Sequence, residues 1–366
     1  LRAVTEENFM EAEGHIGTLL SRPAHEALRF YADRFYDQYA SLLHQRRAGG
    51  HFVEGHGDLR LEHVHVTDER VAIFDCIEFN EEFRYLDVAY DIAFLAMDLD
   101  VHGRRDLSRR FVDRMAEGLG DPDLHRLIDF YKSQRAQIRG KVEGLRAAEA
   151  EVPPTERARS RAEARHLYQW ALRYAVAGNE PLVVIVTGRP GTGKSTQAEA
   201  VARALGWPHL ASDRIRKTRA GVPLHERADP KTRERLYTDA RTQAVYATLR
   251  KRALQRARHQ QGTVLDATFS STEQRERLRS ALRAADVPYV FVEVTAEDEV
   301  LKRRLRRRSS DAATASDARA SDFDVLTARY EAPDALEDER HVRVGTEGAP
   351  EQTTLEILKT LIRLTD

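Results

Sequence analysis

The most constraining feature of the sequence is a glycine-rich loop between a predicted strand and a predicted helix. The loop Gly188-Arg-Pro-Gly-Thr-Gly-Lys-Ser195 has the spacing G-x-x-x-x-G-K-S and follows the apolar, β-branched run 182–187. An alanine-rich helical pattern begins directly after it. In this strand–loop–helix context the spacing is typical of a phosphate-binding loop, or P-loop. The stretch therefore predicts a nucleotide site.

Each fixed position of this loop has a physical reason. Glycines let the backbone approach a polyphosphate closely, and successive N–H groups at a helix N-terminus attract anions. Lys194 is placed to reach the β- and γ-phosphates, and the Ser195 hydroxyl to ligate Mg²⁺. The alternative is an ordinary glycine-rich turn. Such a turn would not need all the fixed residues of the G-x-x-x-x-G-K-S spacing, nor a strand before it and a helix after it. We expect the following residues to bind ATP: Gly188, Gly191, Thr192, Gly193, Lys194, Ser195 and Thr196.

Length and charge indicate two domains of different character. At 366 residues the chain is long enough for two hydrophobic cores. Residues 181–366 hold 33 Lys and Arg against 27 Asp and Glu, whereas residues 1–180 hold 25 against 32. The second half is therefore mildly basic, as anionic substrates favour, although solvated helix faces explain much of such an excess. We predict domains at 1–177 and 181–366, joined by the short linker Ala177-Gly-Asn-Glu-Pro181.

The cellular setting is also constrained. The single cysteine, Cys76, excludes an intrachain disulfide framework and any cysteine-based zinc cluster, and it fits a reducing compartment. No apolar run approaches 18 residues, and no signal segment opens the chain. We therefore expect a cytoplasmic protein without a membrane span. Leu1 stands where a start methionine would be, within helical sequence, which indicates a fragment or a trimmed start.

The second half alternates strand and helix patterns, which predicts a parallel sheet with helices on both faces. The first half reads as a mostly helical domain, apart from short strands such as Val71–Phe74. The elements predicted for the second half are strands at 182–187, 207–211, 262–268, 289–294 and 341–344, and helices at 194–205, 232–260, 272–285, 296–308, 322–330 and 350–364.

Two acidic residues follow predicted strands of the second half. Asp213 lies at the carboxyl end of strand 207–211, where open α/β sheets bind substrates, and Arg216 follows three residues later. We interpret Asp213 as a general base for an acceptor hydroxyl and Arg216 as a substrate or phosphate clamp; alternatively, Asp213 only caps the next helix. Asp266 ends another strand, where P-loop enzymes keep a carboxylate for Mg²⁺, and its alternative is a turn-initiating aspartate.

An arginine-rich helix end precedes a loop of small residues. Six cations occupy 302–308, and the loop continues from Ser309 to Ser321. Such a segment is typical of a mobile lid, which could supply an arginine to the charge of a moving phosphoryl group. Arg304 and Arg308 are one helical turn apart, and we select them as catalytic candidates, while the other cations fit a solvated face. Nucleic-acid binding is the other use of such a run, but no aromatic residues are interleaved.

The first half carries a second group of chemistry-bearing residues. His56-Gly-Asp58 lies in a loop, and Asp75 follows the apolar strand Val71–Phe74. These residues resemble the catalytic lobe of aminoglycoside phosphotransferases and their kinase-like relatives, in which a catalytic aspartate, a metal-binding asparagine and a second aspartate occur in this order. Asp58 and Asp75 match, but His63 stands in place of the asparagine, and imidazole is a poorer Mg²⁺ ligand.

That resemblance is incomplete at the N-terminal side. A kinase of this type requires an N-lobe with a glycine-rich loop and a strand lysine for ATP, and the residues before Asp58 carry neither. The resemblance therefore implies a C-lobe domain with a structural or substrate-positioning role. A metal site formed by the loop histidines 51, 56, 63 and 65 is a weaker interpretation of the same stretch.

The second half resembles P-loop kinases of the gluconate kinase, zeta toxin and polynucleotide kinase type. The D-x-x-R spacing of Asp213 and Arg216 and the stretch Leu265–Phe269 carry this resemblance. It implies a Mg²⁺-ATP-dependent kinase fused to an aminoglycoside-phosphotransferase-like domain, with a small hydroxylated metabolite or antibiotic as acceptor. A kinase for nucleic-acid 5′-hydroxyl ends and an ATP-dependent switch or scaffold remain alternatives, as does phosphotransfer from Asp58 in the first domain.

Overall fold

The computed structural model describes residues 1–224, 229–309, 320–333 and 340–365, apart from the side chains of Glu82, Pro230, Arg308, Ser309 and Ala320. The chain divides into two compact units, essentially Leu1–Asn179 and Glu180–Leu364. Among the described residues, no helix is long and apolar enough to cross a membrane.

The first unit is mostly helical, with two small antiparallel strand pairs. Ser21 caps the longest helix of this unit through the backbone N–H of Ala24, and Gly120 ends another helix in a left-handed conformation. The elements are α1 (Arg2–Ala12), α2 (Arg22–Ala48), β1 (Phe52–Glu54), β2 (Val64–Val66), β3 (Val71–Ile73), β4 (Tyr85–Asp87), α3 (Val88–Val101), α4 (Arg105–Leu119), α5 (Leu124–Arg146) and α6 (Pro154–Ala177). Strand β1 pairs with β4, and β2 pairs with β3.

A stack of aromatic rings and a buried ion cluster hold this unit together. The rings of Phe35 in α2 and Phe130 in α5 are stacked with centroids 3.6 Å apart. Arg46 donates to both carboxylate oxygens of Asp87 at 2.7 Å and to Asp121 Oδ1 at 2.8 Å, and all three side chains are almost fully buried. Asp87 also caps α3 by accepting from the N–H of Ala89. One buried arginine therefore joins α2, the start of α3 and the turn before α5.

The second unit has the alternating architecture that the sequence predicts. Its elements are β5 (Val183–Thr187), α7 (Lys194–Leu205), β6 (His209–Ala211), α8 (Ser212–Ala220), α9 (Pro230–Leu236), α10 (Asp239–Arg258), β7 (Thr263–Asp266), α11 (Thr272–Ala284), β8 (Tyr289–Thr295), α12 (Asp298–Ser309), α13 (Phe323–Ala328), β9 (His341–Gly345) and α14 (Pro350–Thr365). The five strands form one parallel sheet in the order β6-β7-β5-β8-β9. The predicted α/β fold class is confirmed.

Strand β5 lies at the centre of this sheet, and all five of its residues are buried. Val186 is in register with Asp266 of β7, and Thr187 with Glu293 of β8. Parallel strands end at the same edge of a sheet, so these acidic residues lie beside the start of the P-loop. The topology therefore brings together side chains that are far apart in the sequence.

One predicted helix is wrong in a way that affects the candidate site. The sequence pattern predicts a single helix over 232–260, but the structure has α9 and α10 with a break at Tyr237 and Thr238. The Thr238 side chain accepts from the N–H of Arg241, and this cap begins a new helix at Asp239. Residues 237–238 thus lie outside both helices, and the Tyr237 side chain contacts Asp213 and Arg216 of α8.

The buried Arg46 cluster allows a stability prediction. Replacing Arg46 with Met leaves the buried carboxylates of Asp87 and Asp121 without their cation, a type of change that costs about 3–5 kcal/mol. Arg114→Met is the matched control because Arg114 pairs with Glu117 on the surface, where an ion pair contributes about 0–1 kcal/mol. Urea unfolding, followed by far-UV circular dichroism, measures the free energy of unfolding of both variants. Equal midpoints for the two variants would show that the cluster is not needed for stability.

Candidate functional site

The P-loop has the backbone geometry that its glycines permit. Gly188, Gly191 and Gly193 have φ values of 141°, 88° and 92°, a region that side chains with a Cβ rarely adopt. Helix α7 begins at Lys194, with Gly193 as its N-cap. Ser195 and Thr196 are exposed in the first turn of α7, and Lys194 is half-buried. The loop therefore presents a helix N-terminus and the Ser195 hydroxyl to solvent, as an anion site requires.

The loop is held from outside by three side chains. The Thr192 carbonyl accepts from Thr346 Oγ1 at 2.7 Å and from Arg304 Nη1 at 3.3 Å. Thr192 Oγ1 itself donates to the Arg189 carbonyl at 2.8 Å, and Arg189 pairs with Asp298 at 2.7 Å. Thr192 is thus buried and its side chain is used to close the loop. Its predicted place in the nucleotide site remains a prediction.

The arginine-rich helix end meets the P-loop at Arg304. This residue contacts the Thr192 carbonyl and also Thr346, through both its hydroxyl and its carbonyl. These contacts give Arg304 a direct part in holding the loop. The side chain of Arg308 and the predicted lid loop at 310–319 lie outside the described residues.

Asp213 and Arg216 meet at a side chain that the sequence did not indicate. Tyr237 donates its hydroxyl to Asp213 Oδ1 at 3.4 Å, and its ring lies 4.3 Å from the guanidinium carbon of Arg216. Arg216 is almost fully buried and donates to the Leu236 carbonyl at 3.0 Å and to Thr242 Oγ1 at 3.1 Å. Only the break between α9 and α10 places Tyr237 there, and the helical pattern of the sequence conceals that break.

Asp213 does not act as the side-chain cap of its helix. The N-cap of α8 is Ala211, without a side-chain cap bond, and Asp213 lies in the first turn. A carboxylate there interacts favourably with the helix dipole. The capping alternative therefore does not account for the Tyr237 contact.

Asp266 is a buried residue whose carboxylate has few polar neighbours. It is 4% exposed, and His209 Nε2 lies 3.5 Å from its Oδ2. Within the described ranges no donor forms a hydrogen bond with this carboxylate. A largely buried carboxylate with few donors favours a nearby cation with its water shell.

A further acidic residue at the same sheet edge was missed. Glu293 accepts from the Tyr330 hydroxyl and from Arg343 Nε, each at 2.8 Å. Burial and the nearby Glu293 carboxylate raise the pKa of Tyr330, so that its hydroxyl remains a donor. Arg275 adds a bond to the Glu331 carbonyl at 2.9 Å. These bonds attach the segment after α13 to β8 and α11, and no local motif could have revealed them.

In the first unit, the kinase-like residues do lie together. His63 contacts the Asp58 carbonyl through Nδ1 at 2.8 Å, and its Nε2 is 3.3 Å from Asp75 Oδ2. Asp91 supports the loop by accepting from the N–H of His56 at 2.6 Å. The Asp58 carboxylate, however, accepts from Arg60 Nε and Nη2 at 3.1 Å. That ion pair was not expected, and it competes with any proton transfer to Asp58.

No group of three or more His, Cys, Asp and Glu side chains in the described ranges could hold a metal ion.

Comparison with known proteins gives a family match within the second unit. A family model described as an AAA domain matches residues 183–333. Uncharacterized proteins of Mycobacterium tuberculosis and Mycobacterium bovis are 32% identical over 334 residues, covering 87% of this chain and 64% of each relative. The chain thus spans less than two thirds of the length of these relatives.

Solved kinase structures are similar over about half of the chain. A gluconokinase from Sinorhizobium meliloti 1021 is 24% identical with a TM-score of 0.38, and covers 50% of this chain and 94% of its own. The APS kinase of Mycobacterium tuberculosis, solved with AMPPNP and APS, is 19% identical with a TM-score of 0.38, and covers 50% of this chain and 98% of its own.

The close approach at Gly188 allows a prediction about the loop. A Cβ at Gly188 would lie 2.4 Å from the Val294 carbonyl oxygen, so Gly188→Ala forces the backbone apart. We expect a loss of about 1–3 kcal/mol in addition to the conformational strain. Gly221→Ala shares a positive φ but meets nothing within 4 Å. Thermal unfolding of both variants compares a crowded glycine with an open one, and equal losses would contradict the prediction.

Proposed function

We propose that the second unit is a Mg²⁺-ATP-dependent kinase that transfers the γ-phosphoryl group of ATP to an acceptor hydroxyl. The arrangement that carries this proposal is the meeting of Asp213 and Arg216 at Tyr237, on the strand edge that also holds the P-loop. A nucleotide-dependent switch would need only the P-loop. A carboxylate and a buried arginine on the substrate side are features of acceptor chemistry.

The proposed reaction is an in-line transfer. The backbone N–H groups of the loop and Lys194 bind the phosphates of ATP. The acceptor oxygen forms a bond to the γ-phosphorus while the bond from that phosphorus to the β–γ bridging oxygen breaks, and ADP leaves. Asp213 receives the proton of the acceptor hydroxyl, and Arg216 orients the acceptor or a phosphate. Little covalent chemistry is asked of the protein, since positioning and charge stabilisation supply most of the rate.

The lid arginines have a supporting role in this proposal. Arg304 already binds the Thr192 carbonyl, so it couples α12 to the loop that holds the phosphates. A cation at this place stabilises charge on the transferring group. Arg308 stands one turn further along the helix, and we propose it as the second lid cation on the basis of that spacing.

The residues at the sheet edge fit a magnesium ion. The exposed Ser195 hydroxyl and the donor-poor Asp266 carboxylate are hard oxygen ligands, as Mg²⁺ prefers. Because Mg²⁺ retains waters and binds substrate phosphates, it does not need a cage of protein ligands. When bound there, Mg²⁺ would supply positive charge that stabilises negative charge developing on the phosphate oxygens.

We propose that the first unit is a C-lobe of the aminoglycoside-phosphotransferase type with a structural or substrate-positioning role. The loop around Asp58, His63 and Asp75 supports that kinship. The Arg60–Asp58 ion pair disfavours phosphotransfer from Asp58. This proposal concerns the chain described here. It does not assign an activity or a substrate to the longer relatives.

The role of Asp213 can be tested by Asp213→Asn. This change keeps the shape of the side chain but removes the base, and loss of a general base lowers turnover by about 10²- to 10⁴-fold. Transfer of ³²P from ATP is measured to a sugar acid, an aminoglycoside and a 5′-hydroxyl oligonucleotide, with ADP release to water as a fourth readout. Binding of a fluorescent ATP analogue should not change.

Asp239→Asn is the matched control because Asp239 is an exposed acid in the first turn of the neighbouring helix α10. It should transfer phosphate like the natural protein. Undiminished turnover in Asp213→Asn would contradict the role of Asp213 as general base. ATP binding without any turnover in the natural protein would favour a nucleotide-dependent switch. Transfer to the oligonucleotide alone, falling steeply with salt, would identify a polynucleotide kinase.

The role of Asp266 predicts a changed metal dependence. Asp266→Asn removes the charge of the proposed Mg²⁺ ligand or its supporting group, and we expect the apparent Mg²⁺ affinity to fall about 10- to 100-fold. A titration of ADP release with Mg²⁺ at saturating ATP measures this. Asp286→Asn, an exposed aspartate of the same unit with a left-handed backbone that Asn tolerates, is the control. An identical Mg²⁺ dependence in both variants would exclude Asp266 from the metal site.

A further inference from the structure

A cleft of about 360 Å³ opens between α10 and α11, apart from the P-loop. This volume falls within the range of small-molecule sites, roughly 300–1,000 Å³. Three small side chains of α10, those of Ala240, Ala244 and Ala247, line one wall. Because alanine projects so little from a helix, the space between the two helices is left open at these positions.

The floor of the cleft is built from two aromatic residues that the fold holds in place. The hydroxyl of Tyr246 accepts from the N–H of Phe269 at 3.0 Å, and the two ring centroids are 4.9 Å apart. Phe269 has a φ of 45°, and Arg275 donates to its carbonyl at 2.9 Å. A residue in such a backbone conformation persists only where its surroundings determine it. The floor is therefore preformed.

Tyr246 also separates the cleft from the proposed phosphotransfer residues. Its ring lines the cleft, whereas its hydroxyl lies within the electrostatic reach of Arg216, Asp213 and Asp266. Burial raises the pKa of Tyr246 to about 12, so this hydroxyl is neutral near pH 7. The cleft thus adjoins those residues, with the Tyr246 side chain between them.

The wall formed by α11 carries a polar atom that lacks a partner. Gln274 lines the cleft, and its Oε1 is buried without a hydrogen-bond donor from any described residue. Leaving a buried acceptor unpaired costs about 1–3 kcal/mol. Rotation of the Gln274 side chain would bring Oε1 to an N–H or O–H group of a ligand in the cleft.

The rim of the cleft has an excess of positive charge. Arg277 pairs with Glu273 at 2.5 Å, so their charges offset one another. Arg250 lines the same rim and forms no ion pair within the described ranges. An anionic group on the ligand would therefore find its partner in Arg250, and guanidinium hydrogen bonds to anions are among the stronger ones.

We propose that the α10–α11 cleft is a second small-molecule site, which binds a flat, apolar acid bearing a hydrogen-bond donor. The rings or chains of the ligand pack on the alanine wall and on Phe269, its donor meets Gln274 Oε1, and its anionic group meets Arg250. This proposal goes beyond phosphotransfer and does not depend on it.

The probe for this site is 8-anilino-1-naphthalenesulfonate, which combines aromatic rings, one N–H donor and a sulfonate. Its fluorescence is titrated with the full chain. Ala244→Phe fills the cleft and should weaken binding at least about tenfold, since an overfilled space excludes the ligand. Gln274→Leu and Arg250→Gln should each weaken it by about three- to tenfold, the value of one hydrogen bond. N-phenyl-1-naphthylamine, which lacks the sulfonate, should be insensitive to Arg250→Gln.

The matched control is Gln255→Phe, which adds the same ring to an exposed position of α10 outside the cleft. It should bind the probe like the natural protein. Binding of a fluorescent ATP analogue and thermal unfolding show whether each variant is folded; if Ala244→Phe is not, Gln274→Leu and Arg250→Gln decide the question. Unchanged titrations in the folded cleft variants, or an equal loss in Gln255→Phe, would overturn the proposal whether or not the protein transfers phosphate.

Discussion

The Thr192 carbonyl is the point on which the candidate site depends. A P-loop directs its N–H groups toward a ligand, so its carbonyls must find partners on the other side. Thr346 and Arg304 provide them here, and they come from the turn after β9 and from α12. Gly188 approaches the backbone of β8 so closely that no Cβ fits between them. The loop is therefore shaped by elements that follow it by more than a hundred residues.

The acceptor side depends on a different device, the interruption of a helix. Thr238 begins α10 anew, and the two residues between α9 and α10 bring Tyr237 to Asp213 and Arg216. The Arg216 guanidinium lies over the Tyr237 ring and donates to two neutral oxygens, the Leu236 carbonyl and Thr242 Oγ1.

Several polar contacts fix the loop of the first unit that holds Asp58, His63 and Asp75. Asp91 holds the backbone of this loop at His56, and His63 joins the Asp58 carbonyl to the Asp75 carboxylate. Arg60, however, binds the Asp58 carboxylate, and the buried Arg46 cluster secures the elements beneath. The Asp58 carboxylate is therefore already engaged by a cation of the same loop.

By itself, the sequence determined the P-loop, the parallel α/β class and the positions of Asp213 and Asp266 after their strands. These features are local: glycine spacing, β-branched runs and helical periodicity act over a few residues. Tertiary structure alone decided that Tyr237 joins Asp213 to Arg216, that Arg304 supports the loop, that Arg60 occupies Asp58 and that a cleft opens beside Tyr246. Most of these contacts join residues that are distant along the chain. The Arg60–Asp58 pair is local, but it depends on which of several nearby side chains binds the carboxylate. The spacing of a motif encodes neither kind of contact. The physical reason is that a hydrogen bond or an ion pair is selected by the final packing, in which most buried polar groups find a partner.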